Sequence, residues 1–82
     1  MLEDNADIIK RLQRANGHLG KVIEMISEGC DGKDVAQQMQ AVTGALSKAK
    51  NLYIREQIEH ALSGDSSSDN IRKELQELSK YL

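Results

Sequence analysis

Apolar and small residues recur through the first third of the chain at Ile8, Leu12, Ala15, Leu19, Val22 and Ile26, in alternating steps of four and three. The rhythm restarts at Val35 and runs through Met39, Val42, Leu46, Ala49 and Tyr53, then along Ile54, Ile58, Ala61 and Leu62. Steps of three and four place side chains on one stripe of an α-helix, whereas a strand repeats every second residue. The 82 residues contain no proline, so nothing in the covalent chain breaks either stripe. Two long helices, joined near Gly29-Cys30-Asp31-Gly32, are the only regular elements that satisfy both patterns.

The first helix is expected over about residues 5 to 28, stopping at Gly29, where a left-handed backbone costs glycine little. So short a connection makes the two helices antiparallel neighbours. Asp31 is expected to cap the second helix, and Asp34 adds negative charge to its first turn. That helix is expected over about 32 to 62, roughly 30 residues or about 45 Å. Ser63-Gly64-Asp65-Ser66-Ser67-Ser68 reads as a polar, flexible linker. A third helix, about 69 to 81, follows with Asp69 as its cap and Ile71, Leu75, Leu78 and Leu82 as its apolar set. It is short and one-sided, so it must dock on the hairpin or on a neighbouring subunit. Gly17, Gly20 and Gly44 fall inside helices, where each costs about 1 kcal/mol relative to alanine. Close approach of packed helices is the expected reason for them.

Composition sets the scale of the assembly. Tyr53 and Tyr81 are the only aromatic residues, so any core is aliphatic, which suits helix-on-helix packing. A chain this short cannot bury two long seams by itself. The expected fold class is therefore all-α: one domain over residues 1–82, two long antiparallel helices plus one short, dimerising into a four-helix bundle that assembles into a tetramer. The net charge of −2 gives no support to indiscriminate nucleic-acid binding, which usually shows as a strong basic excess. A single cysteine, Cys30, cannot form a disulfide within the chain and fits a reducing compartment. The acidic start Met1-Leu2-Glu3-Asp4-Asn5, and the lack of an apolar run of spanning length, read against a signal peptide or membrane partner. The expected location is cytoplasmic.

Catalysis finds no support. One cysteine and two scattered histidines do not make a nucleophile with a base and an orienting group. Gly29-Cys30-Asp31-Gly32-Lys33 lacks the spacing of a phosphate loop. Charge is more informative. Between Ile8 and Val22 the charged residues are Lys10, Arg11, Arg14 and Lys21, with no carboxylate among them. Arg11, Arg14, His18 and Lys21 follow steps of three and four and share a helix face, while Lys48, Lys50 and Arg55 add positive charge to the second helix. Spacing alone leaves two readings open, a solvated face and a surface for phosphates.

The run Arg11-Leu12-Gln13-Arg14-Ala15-Asn16-Gly17-His18-Leu19, followed by Met25-Ile26-Ser27-Glu28-Gly29 and by Asp34-Val35-Ala36-Gln37-Gln38, resembles the CsoR/RcnR/FrmR family. These are small all-helical bacterial repressors that sense copper, nickel or cobalt, formaldehyde or sulfane sulfur. Their pattern is R-h-x-R-x-x-G-Q/H-h, with h aliphatic, then M-h-x-E-G and D-V-x-x-Q; the similarity covers about residues 8 to 62. The resemblance implies a DNA-binding transcriptional repressor without a helix-turn-helix. Arg11 and Lys48 stand at positions that hold operator DNA in the family, with Arg14 and Lys21 as further candidates. A tetramer would repeat the patch fourfold, which reconciles phosphate binding with an acidic chain.

At the sensing positions the sequence departs from the family. Metal sensors of this kind carry a cysteine just before the second helix, then His-x-x-x-Cys or His-x-x-x-His late in it, the two halves coming from different protomers. Thiolate and imidazole donors suit copper(I), nickel(II) or zinc(II). Registered on Asp34-Val35 and Ala41-Val42, those positions hold Gly32, Gln57 and Ala61, none of which binds a soft metal strongly. The cysteines of the persulfide and formaldehyde sensors are missing likewise. The resemblance thus implies a repressor with altered or lost effector sensing. A displaced site for a transition metal ion would use Cys30 and His60 across a dimer interface, completed by Glu56 or Glu59. His18 reads as structural or DNA-proximal, and Glu77 matches a glutamate that copper sensors keep beside the metal. Two alternatives stay open beside the repressor: a sensor using the displaced Cys30/His60 site, and a helical oligomeric interaction module without DNA binding.

Overall fold

The computed structural model describes residues 5–64 and 68–82. Three helices account for nearly all of them: α1 (Asn5–Ser27), α2 (Gly32–Ser63) and α3 (Ser68–Ser79). Expected and observed boundaries agree within two residues. Residues 65–67 of the expected linker, and residues 1–4 of the acidic start, lie outside the described residues.

The chain leaves α1 through a paired C-terminal cap. Gly29 has φ of 73°, and its N–H bonds the Ile26 carbonyl at 3.1 Å while the Cys30 N–H bonds that of Met25 at 3.0 Å. This six-to-one and five-to-two pairing satisfies carbonyls that the end of a helix leaves unpartnered. Asp31 does hold the N-cap position of α2, with φ −58° and ψ 136°, but its side chain makes no cap hydrogen bond. Only its backbone carbonyl engages the helix, accepting from the Val35 N–H at 3.1 Å, so the expected side-chain cap is corrected. The Asp69 cap is corrected too: α3 begins one residue earlier, at Ser68, and Asp69 sits in the first turn, where its charge favours the helix N-terminus. At the far end Tyr81 and Leu82 make turn bonds to the carbonyls of Leu78 and Ser79, at 3.1 and 3.3 Å, and do not extend the helix.

α1 and α2 form an antiparallel hairpin along a row of heptad-spaced residues. Ile8, Ala15 and Val22 are buried on α1, as are Val35, Val42 and Ala49 on α2. Val22 near the end of α1 clusters with Val35 and Val42, while Ile8 near its start shares a groove with Ala49 and Tyr53. α3 packs on α2 and not on α1, with Ile71, Leu75 and Leu78 half-buried and Ile54 and Ala61 of α2 buried. The other half of each stripe has no cover. Leu12, Leu19 and Ile26 on α1 are 42–57% exposed, and Met39, Leu46 and Tyr53 on α2 are 41–49% exposed.

With extents of 55 × 24 × 13 Å, the molecule is one helix thick, a helix with side chains being about 10–12 Å across. Close helix approach within the chain does not explain the internal glycines. A Cβ added at Gly17, Gly20 or Gly44 meets nothing within 4 Å, because all three lie on exposed faces turned away from the buried row.

Candidate nucleic-acid interface

The buried row divides the hairpin into two unlike flanks, since residues on either side of it point to opposite edges. On one flank Arg11, Arg14 and His18 of α1 line a cleft with Ala45 and Lys48 of α2. Lys48 also borders an adjoining recess shared with Asn51 and Arg55, which extends the positive charge along α2. The other flank is a groove lined by Ile9 and Leu12 of α1 and Leu46 and Tyr53 of α2. Lys50 also borders this second groove, so Arg11, Arg14, Lys48 and Arg55 lie on the first flank and Lys50 on the edge of the mainly apolar one, in a chain whose net charge is −2.

Arg11 donates from Nε to Asp7 Oδ2 at 3.2 Å, an i,i+4 pair whose side chains are 35% and 67% exposed. At such exposure an ion pair contributes about 0–1 kcal/mol, weak enough for a phosphate to compete with. Arg14 is exposed beside it. Lys21, one turn beyond His18 on the same face, is exposed and does not line the cleft. The spacing had placed the four residues of α1 on one face; the fold adds Lys48 opposite the two arginines and leaves Lys21 outlying.

One contact was not legible in the spacing. His18 Nε2–H donates to Gln38 Oε1 at 2.6 Å across the hairpin, in a half-buried position. His18 fills the Q/H position of the motif on α1 and Gln38 the last position of D-V-x-x-Q on α2, so their joint presence in those motifs was the available signal.

Of the three residues expected at sensing positions, Gly32 stands far from Gln57 and Ala61 along α2. Gly32 is exposed in the first turn of α2, Gln57 is half-buried and Ala61 is buried near the helix end. Between Gly32 and Ala61 lies about 43 Å of helix at 1.5 Å per residue. Cys30 is exposed in the connection and His60 is exposed in the last turn, so one chain cannot bring them to a common metal ion. Glu56 and Glu59 share the His60 end of α2, and Glu77 lies on α3 beside Glu74 and Tyr81. Among the described residues no three His, Cys, Asp or Glu side chains gather where they could hold a metal ion. Glycine and alanine offer no side-chain donor and a carboxamide is a poor ligand for soft metals, so these positions do not fit the metal that the resemblance implies.

Among the described residues no helix is long and apolar enough to cross a membrane. No curated protein and no solved structure gives a match. A family model described as metal-sensitive transcriptional repressor matches residues 4–82, which extends the likeness beyond the motif-bearing hairpin to all of α3. With that match along nearly its whole length, the chain belongs to the family of metal-sensitive transcriptional repressors, which are regulators and not enzymes.

Proposed function

We propose that this protein represses transcription as an oligomer, holding operator DNA on the basic flank of α1 and α2, and that it does not sense metal by the Cys/His chemistry of its relatives. The observation that carries the reading is the cleft in which Arg11 and Arg14 face Lys48 across the hairpin. Cations gathered on one edge of an acidic molecule bind a phosphate backbone in one orientation, and repetition in an oligomer multiplies the number of phosphates neutralised.

The apolar flank supports the oligomer. Leu12, Leu19, Met39, Leu46 and Tyr53 form an exposed continuation of the buried row. A hairpin one helix thick lacks the second layer that a stable helical domain requires. A second copy laid on this flank completes a four-helix bundle and leaves the basic flank free, and pairing of two such bundles gives a tetramer.

The test is binding to a duplex spanning the DNA immediately upstream of the protein's own coding sequence. Arg11→Ala and Lys48→Ala are each expected to weaken binding and to lower the salt dependence by roughly one phosphate per copy of the site, with helicity unchanged. Wild-type protein that prefers neither this duplex nor any other at low salt would overturn the repressor reading and favour an interaction module.

A further inference from the structure

His18 and Gln38 lie 20 residues apart in sequence and meet at 2.6 Å between α1 and α2. By contrast, Arg11 pairs with Asp7 one turn away, and the hydroxyls of Ser27, Thr43, Ser63 and Ser79 bond carbonyls of their own helices. His18 also lines the cleft shared by Arg11, Arg14 and Lys48. A side-chain hydrogen bond between the two helices is therefore set among the cations that the two helices contribute.

The apolar row does not do this work unaided. Apart from Ile8 near one end, the row consists of the short side chains Ala15, Val22, Val35, Val42 and Ala49, whose burial favours contact of the two faces without direction. Such a row determines which faces meet but resists sliding of one helix along the other only through the relief of small side chains. A hydrogen bond is directional and short-ranged. One formed beside the cleft fixes the axial offset of α1 against α2 where the charges stand.

We propose that His18 and Gln38 are positioning residues for the DNA site: an interhelical latch that sets the spacing of Arg11 and Arg14 relative to Lys48. The inference rests on the DNA-binding reading and deepens it. A glutamine at position 18 also carries an N–H donor, whereas leucine keeps apolar bulk and removes it.

The experiment uses the full chain and the fluorescent upstream duplex, with helicity, thermal midpoint and oligomer size followed for each variant. His18→Leu and Gln38→Leu are each expected to weaken binding by about three- to tenfold, the loss of one hydrogen bond's ordering. The double variant is expected to be no worse than either single one, and His18→Gln to stay within about twofold of wild type. If a leucine variant loses helicity, Gln38→Met, of nearly the same length but with no strong acceptor, takes its place with the same expected loss.

Several results overturn the latch. Wild-type affinity in His18→Leu does so, as do losses that multiply in the double variant, which would mean independent contacts. Equal loss in His18→Gln and His18→Leu would mark a direct imidazole contact to DNA instead. Wild-type protein that ignores DNA removes the function reading and the latch together, whereas wild-type binding retained in His18→Leu removes the latch alone.

Discussion

At the scale of single residues, the exposed glycines and the lone cysteine carry the sharpest expectations. Gly20 lies within α1 with open space where a Cβ would stand, so the chain bears the helix cost of glycine with no packing return inside the protomer. Gly20→Ala is expected to stabilise the folded chain by about 0.5–1 kcal/mol, read as a rise in the midpoint of denaturant unfolding. A fall would show that another molecule approaches α1 closely at this point. Cys30 is exposed and supplies the chain's only thiol. If Gly32, Gln57 and Ala61 stand at the ligand positions that the resemblance implies, copper(I) or nickel(II) is expected to bind far more weakly than a Cys/His/Cys set would allow, with little change in DNA affinity. Titration against a competing chelator, with Cys30→Ala and His60→Ala alongside, checks this. Tight stoichiometric binding with release from DNA would show that the sensing chemistry survives, and its loss in either variant would locate it at the displaced site.

At the scale of elements, the hairpin depends on how α1 ends. Gly29 takes φ of 73°, a backbone region that a Cβ disfavours by about 1 kcal/mol, and the Gly29 and Cys30 amides cap the last carbonyls of α1. Gly29→Ala is therefore expected to destabilise the protein by about 1 kcal/mol in urea unfolding, opposite in sign to Gly20→Ala. Equal effects of the two substitutions would refute this account of the turn. The contrast also shows where sequence reasoning is strong and where it is not. Gly29 was legible as a helix stop because a glycine after the last seam residue is a local signal. Gly17, Gly20 and Gly44 face open space within the protomer and not the partner helix of the hairpin, because which side of a helix faces its neighbour is decided by the tertiary fold. Asp31 likewise occupied its expected position without forming the expected side-chain bond.

At the scale of the whole molecule, a slab 13 Å thick with an apolar flank predicts assembly. Light scattering at micromolar concentration is expected to give a dimer or tetramer. Leu12→Asp together with Leu46→Asp, which puts two charges into each copy's groove, is expected to shift the population toward monomer and to weaken DNA binding by dividing the phosphate contacts among separate molecules. A well-folded wild-type monomer under these conditions would remove the architecture.

The sequence by itself determined that this chain is helical, where its helices lie to within two residues, and that α1 carries a basic face, because spacings of three and four residues and local stop signals are written within one element. Residue type alone also says that Gly32, Gln57 and Ala61, which the resemblance implies are the sensing positions, supply no thiolate or imidazole. Only the tertiary structure decided which half of each apolar stripe is buried. Ile8, Ala15 and Val22 are covered while Leu12, Leu19 and Ile26 are exposed, though both sets are apolar and recur every seven residues. The choice depends on the rotation of one helix against the other, which no single-helix pattern encodes. That same rotation set Lys48 across from Arg11 and Arg14 and brought His18 to Gln38, pairings between residues that sequence spacing leaves unrelated.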